Sequence, residues 1–574
     1  MKSFLHSFLG ALTAIVLLVL IGGGYAACVS GKQPKIEADS YLVIELYAGL
    51  PEYDPPGGVM SQLGGGDTET LQRILSNLQK AGVDERVKGV VLKLSASASI
   101  GGASRDEIRD AIKRLSESGK KVYAWVDSFD QADYYLLAAC DEIYFPVTGY
   151  ASFVGFSAGS MHVKRALDKI GIKPDIHKIK DYKSAAELVA REHSSEAARE
   201  NKEWILEDFW SRFTEMLAAD RGLTEDQINA IMEHALFTAD EALEAGLIDG
   251  IKYWDEVEQM LKAEDEDELL TVSQSSYAEI DPGKLGLEGK KTIAVIHAQG
   301  TIAGRTSGVN PLLGVTMGHE TVVAEFDRAR RDEDVAAIVF RVDSGGGDAL
   351  GSDLMGHAVE ITNQVKPVVV SMVDVAASGG YHIAYRASKI VADPMTITGS
   401  IGSISGKFNM SGMYEKLGVT FDSVTIGPNA LFNSDLQDYT PEQRARFEED
   451  HWRGFTHWLH DVAEHRGMPF EEAEKLAHGR VWTGTQAVAN GLIDEVGDLN
   501  RAVEIAKELA EIPADEQVTL AHYPEKKGLL ESVLGGDVSA AARWALYRAV
   551  REDISETWTL LEQNPGLLTT ETLP

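Results

Sequence analysis

Cysteine is almost absent. Cys28 and Cys140 are the only two in 574 residues, too few for a disulfide framework, so a location outside the cytoplasm is tolerated by the sequence rather than demanded by it. Positive charge is scarce as well. Lysine and arginine total 54 against 89 aspartates and glutamates, a net charge of -35. Nucleic acid is therefore a poor partner, because binding it requires a basic surface that displaces counterions. The acidic balance otherwise speaks for solubility and not for any fold.

What the chain does have is enough length for about three or four domain-sized units, with 44% hydrophobic residues to fill large cores. Near its start, Phe8 to Ala27 run for 20 residues without a charge, just sufficient to cross a bilayer as a helix. Lys2 precedes this run and Lys32 and Lys35 follow it, so the charge bias that sets orientation is weak. We expect an uncleaved anchor and a linker over residues 1–39, with the bulk of the chain outside the cytoplasm. A cleaved signal peptide and a lipid-modified Cys28 are the alternatives, the latter weakened by Tyr25 where such signals usually carry Leu.

From Ser40 onward, strand-like and helix-like runs alternate, which predicts α/β units with parallel sheets. The chain also repeats itself at a lag of 245 to 248 residues. Asp84-Glu85-Arg86-Val87 returns as Asp332-Glu333-Asp334-Val335, Val126-Asp127 with Tyr134 as Val373-Asp374 with Tyr381, and Ala245-Gly246-Leu247-Ile248-Asp249 as Asn490-Gly491-Leu492-Ile493-Asp494. Such self-similarity predicts two copies of one fold, over residues 40–262 and 292–512. An acidic, then Ser/Gly-rich linker over 263–291 separates them and is a candidate for an added strand. A 513–574 extension follows, with an amphipathic stretch at 538–563.

Two glycine-rich turns carry the candidate chemistry. Val368 to Val373 reads as a buried strand and Ala376-Ala377-Ser378-Gly379-Gly380 as the turn after it, opening a helix. Ser378 would be exposed at the strand end, beside the unencumbered N–H of Gly379, which suits a nucleophile with an oxyanion donor. Ile338 to Asp343 is a second strand, followed by Ser344-Gly345-Gly346-Gly347 and a helix-like segment from Ala349 to Asn363. The glycines free backbone N–H groups to face a site. The spacing of a phosphate loop, G-x-x-x-x-G-K-[ST], is missing.

A serine nucleophile needs a base, yet no histidine occurs between Ile383 and Asp450, and His382 would sit one turn above Ser378, away from the strand end. Lysine can serve if its amine is neutral, and lowering it from about 10.4 to about 7 or 8 costs roughly 3 to 5 kcal/mol. The duplication singles one out. Gln131 occupies the place of Ser378 in the first copy, and Asn429 the place of Lys183 in the second, so each copy keeps a different part of one machine. Ser184-Ala185-Ala186-Glu187 fits a capping box, which would set Lys183 just before a helix N-terminus. Lys178 and Lys180 are competing candidates. A rival site, His457-x-x-His460 with Glu464 and His465, has zinc-like spacing. It lacks the H-E-x-x-H order, and Trp452, Phe455 and Trp458 read as the packing face of a helix.

Asp374-x-Ala-Ala-Ser-Gly-Gly-Tyr381, the following Thr398-Gly399-Ser400-Ile401-Gly402, and Tyr182-Lys183-Ser184-Ala185 together resemble the long, tandem-repeat form of the bacterial signal peptide peptidase A family, from about residue 40 to 512 and including the anchor. The resemblance implies a Clp protease/crotonase-like α/β fold in each copy. It also implies a Ser/Lys dyad of Ser378 and Lys183, with oxyanion donors at Gly379 and Gly346. It further implies hydrolysis of signal peptides and other hydrophobic peptides, a homotetramer, and no metal or cofactor. The setting would be the bacterial inner membrane, with a single-pass anchor and the catalytic part on the periplasmic side. Ser344-Gly345-Gly346 departs from the family's usual Ser-Pro-Gly. An acyl-CoA hydratase or hydrolase of the crotonase type and a non-catalytic membrane scaffold are the competing classes. Whether Lys183 and Ser378 meet within one chain or between subunits is left open by the sequence.

Overall fold

The computed structural model describes residues 34–47, 49–54, 69–94, 99–264 and 266–525. The apolar run Phe8 to Ala27 and the amphipathic stretch 538–563 lie outside these residues. Among the described residues, no helix is long and apolar enough to cross a membrane.

Runs of β-branched residues bounded by turns give strands buried on both faces, and such strands pair in parallel. The first sheet contains β1 (Ser40–Leu46), β2 (Val87–Leu94), β3 (Lys121–Val126), β4 (Glu142–Phe145), β5 (Gly250–Ile251) and β6 (Thr271–Ser273), in the order β6-β1-β2-β3-β4-β5. Every pairing in it is parallel. The second contains β7 (Lys291–Gln299), β8 (Val335–Ser344), β9 (Val368–Ala377), β10 (Lys389–Ala392), β11 (Ile397–Gly399), β12 (Val481–Thr483), β13 (Glu495–Val496) and β14 (Val518–Tyr523). The path β14-β7-β8-β9-β10-β13 repeats the first sheet strand for strand, again all parallel. From the end of β9 a branch leaves, with β11 parallel to it and β12 antiparallel to β11.

One edge differs from the sequence reading. β14 lies beyond residue 512, where the visible similarity stops, yet it flanks β7 as β6 flanks β1. Leu520-Ala521-His522, which stand in register where Thr271-Val272-Ser273 stand in the first sheet, share no residue with them, so the correspondence exists in the backbone and is invisible in identities.

Successive residues of β9 face opposite sides, as strand geometry dictates. Val368, Val370 and Met372 enter one core and Val369 the other. The two repeats also exchange side chains: Val373 belongs to the core of the first repeat, and Ile179 to that of the second. Arg341 on β8 is wholly buried between the copies. It donates to Glu52 (2.8 and 3.2 Å), to Glu107 (2.7 and 2.6 Å) and to Ser371 Oγ (2.8 Å). Burial pushes the Glu107 carboxyl up despite that contact. Glu107 rides on α1 (Gly102–Glu117), and the Ser104 N–H and Oγ of the same helix donate to Asp374 on β9 at 3.0 and 2.6 Å. The first repeat is thereby fastened directly to the strand that leads into Ser378.

Candidate active site

β9 ends at Ala377, and the short helix α4 (Gly379–His382) begins one residue after Ser378. (Three longer helices also bear on the site: α1 above, α2 (Glu196–Arg221) and α3 (Ala349–Asn363).) Ser378 makes the turn with φ 57 and ψ -116, a conformation that costs a non-glycine residue of order 1–3 kcal/mol. Its N–H donates to Gly399 O at 2.8 Å, pinning the turn to the end of β11. The hydroxyl is thus held half-buried at the strand end.

Lys183 reaches it from the first repeat of the same chain. Its Nζ lies 2.9 Å from Ser378 Oγ, 2.8 Å from Ser400 O and 2.9 Å from Ser400 Oγ. The side chain is buried, and burial alone lowers its amine from 10.5 to about 7. Gly479 makes the close approach feasible. Its φ is +83, and a Cβ there would come within 2.4 Å of the Lys183 backbone.

The route to the neutral amine differs from the capping box in the sequence. The helix after Lys183 is only Glu187–Ala190, it starts from Ala186, and no side chain caps it. Glu187 cannot reach back to Ser184, because its carboxylate accepts from Lys178 Nζ at 2.7 Å and from the Ser195 N–H at 2.8 Å. Lys178 is occupied by that pairing, and Lys180 faces Glu474 at 3.6 Å over the ring of Trp452. Ser400 received no role in the sequence reading although its motif was visible there. Its contribution is a carbonyl and a hydroxyl presented from a positive φ of 49.

The two candidate oxyanion glycines touch. At Gly346, where φ is +95, a Cβ would lie 2.4 Å from Gly379 N. The Gly346 N–H donates to Ser344 Oγ at 3.1 Å, whereas Gly379 N opens α4, where helix geometry supplies no acceptor. Beside this loop, Asp343 is raised to about 7 by burial and by the facing Asp374, and it accepts from the Val375 N–H at 3.1 Å.

The corresponding place in the first repeat is closed. Gln131 donates to Gly155 O and accepts from Gly155 N at 2.8 Å, so its amide is spent on one backbone unit. Asn429 accepts from Gln443 Nε2 at 3.1 Å. The histidines that raised a metal question are dispersed in packing: His460 stacks on Phe470 at 4.2 Å, and His465 meets Asp461 O at 2.9 Å. His382 stacks on Trp458 at 4.7 Å. Among the described residues, no cluster of metal-ligand type forms.

Residues 114–268 and 360–513 match the family model described as Peptidase family S49, once in each repeat. A chloroplastic serine protease SPPA of Arabidopsis thaliana is 34% identical over 81% of this chain and 70% of its own. Protease 4 of Salmonella typhi is 30% identical, over 90% and 86%. An Enterococcus faecium protein that bears the assigned name of a signal peptide peptidase SppA is 28% identical over 46% of this chain and 75% of its own.

Proposed function

The chain belongs to peptidase family S49 and is a serine protease in the long, tandem form; on that premise we propose that it cleaves peptide bonds with Ser378 as nucleophile and Lys183 as general base. The observation that carries this reading is the 2.9 Å contact between the Lys183 amine and Ser378 Oγ, with burial bringing the amine to about 7. Neutral Lys183 takes the hydroxyl proton as Ser378 Oγ attacks the peptide carbonyl, and the resulting oxyanion accepts from Gly379 N–H. Gly346 N–H joins by turning from Ser344 Oγ. The lysine then returns its proton to the leaving amine, the C–N bond breaks, and water hydrolyses the acyl-enzyme in the reverse sense. No metal or cofactor enters.

Each repeat is read as a Clp protease/crotonase-like unit. The substrates are signal peptides and other hydrophobic peptides, a reading supported by the name of the Enterococcus relative. The run Phe8 to Ala27 supports single-pass anchoring in a bacterial inner membrane with the catalytic part on the periplasmic side.

Assembly into a homotetramer draws support from the duplication. In the first repeat, helix Lys164–Ile170, left-handed Gly171 and strand Lys173–Lys178 form an arm that pairs antiparallel with Ile404–Asn409 of the second, while Ile179 is buried in its core. Helix Ser411–Lys416 and left-handed Gly418 repeat the arm, but residues 420–425 form no strand, and Ile426, the counterpart of Ile179, is 97% exposed. Residues 157–162, the counterpart of the receiving strand, are likewise without one. A second copy supplies what each lacks, in a head-to-tail contact that closes as a ring.

Ser378→Ala and Lys183→Ala should each abolish hydrolysis of an apolar peptide while circular dichroism stays unchanged. Retention of most activity by Lys183→Ala would overturn the dyad.

A further inference from the structure

Both members of the dyad hang from one short segment of β11 and its extension. Ser378 N–H donates to Gly399 O (2.8 Å), and Lys183 Nζ donates to Ser400 O (2.8 Å). Whatever fixes residues 399–400 therefore fixes the distance between hydroxyl and amine. On its far side the segment is held by the next strand: Gly399 pairs with Val481 of β12, and Ser400 N–H donates to Arg480 O at 2.7 Å.

β12 would be an edge, with backbone groups facing outward, were it not for α2. Asn201 lies near the start of this helix, in the first repeat, and is 6% exposed. Its Nδ2 donates to Val481 O at 2.9 Å, and its Oδ1 accepts from Val481 N–H at 2.9 Å. One carboxamide thus satisfies both groups of one residue, as an added strand would. Around it, Arg480 is sandwiched against Tyr182, Trp204 and Trp482 and paired with Glu200 at 2.6 Å.

The geometry points to Asn201 as a positioning residue for the proteolytic reaction. It locks the repeat that carries Lys183 onto the strand pair from which Ser378 and Ser400 are hung, so that amine and hydroxyl keep their spacing. Asparagine is required because the site asks for one donor and one acceptor in a plane. An aspartate in its place would keep the acceptor for Val481 N–H, lose the donor to Val481 O, and bring a negative charge towards Lys183. This inference rests on the dyad proposed above.

The test uses the full chain, with active sites counted by a serine-reactive phosphonate so that rates refer to competent molecules only. Asn201→Ala should lower kcat per titrated site roughly 10- to 100-fold, the scale of a misplacement of about 1 Å, with KM little changed. Asn201→Asp should in addition move the acid limb of kcat upward, since a nearby negative charge favours the ammonium. Lys202→Ala, which removes an exposed contact of the same helix with Ser160 Oγ at 2.5 Å, should move neither. Asp343 also titrates near neutral beside the oxyanion loop, but it faces Asp374 and not Asn201, so a limb belonging to it would stay in place. Unchanged kcat per site and an unmoved limb in both Asn201 variants would overturn the proposal while leaving the dyad intact. Failure of the dyad itself would appear separately, as activity surviving Lys183→Ala.

Discussion

Replacing Lys183 by Met in a Ser378→Ala background isolates what the buried amine costs the fold. Holding it at about 7 when its ordinary value is 10.5 corresponds to about 5 kcal/mol once the amine is fully charged in both states. Between those two values the unfolded chain binds the proton and the folded chain does not, so this group's contribution to stability rises with pH across the window. Of the cost, about 4 kcal/mol is present at pH 7 and about 2 kcal/mol at pH 9. Methionine has a similar length and no charge, but it leaves the Ser400 carbonyl and hydroxyl without the partner they have at 2.8 and 2.9 Å. That loss is worth about 2 kcal/mol. The Met variant should therefore be more stable than its parent by about 2 kcal/mol at pH 7 and equal to it at pH 9, in urea titrations followed by tryptophan fluorescence. The alanine at 378 prevents self-digestion during unfolding. A gain independent of pH, or a loss at pH 7, would refute the claim that burial keeps this amine neutral.

Two further outcomes follow from the loop and the repeat interface. Gly345 has a φ outside the left-handed region and open space where a Cβ would lie, so Gly345→Pro should raise stability by about 0.4–1 kcal/mol through the unfolded chain and keep peptidase activity; a urea midpoint that falls would refute this. Arg341→Met strands Glu52 and Glu107 in the interior and should cost about 3–5 kcal/mol. Adding Glu107→Gln should restore part of it, and thermal melts that show no recovery would count against the ion cluster as the source.

The sequence made the strands of both sheets readable, because parallel strands buried on two faces leave unbroken apolar runs such as Val368 to Val373. Ser378 and Lys183 stood out as well, since a duplication that keeps a hydroxyl in one copy and an amine in the other is hard to produce by packing alone. Ser400 stayed hidden because its carbonyl works from an unusual backbone angle, which no residue type announces. The capping box before Glu187 misled for a related reason: the four-residue pattern is local, and Lys178 and Ser195, close only in space, claim the carboxylate. Asn201 was out of reach too, as its partner is the backbone of a residue 280 positions away.

β14 closes the second sheet from a part of the chain that lies past the family match. A protein trimmed at 512 would keep every residue of the hydrolytic machinery yet leave the apolar strand Lys291–Gln299 with a full row of free amides and carbonyls along one side. Such an edge recruits strands from other molecules, so clumping would precede any measurable defect in turnover.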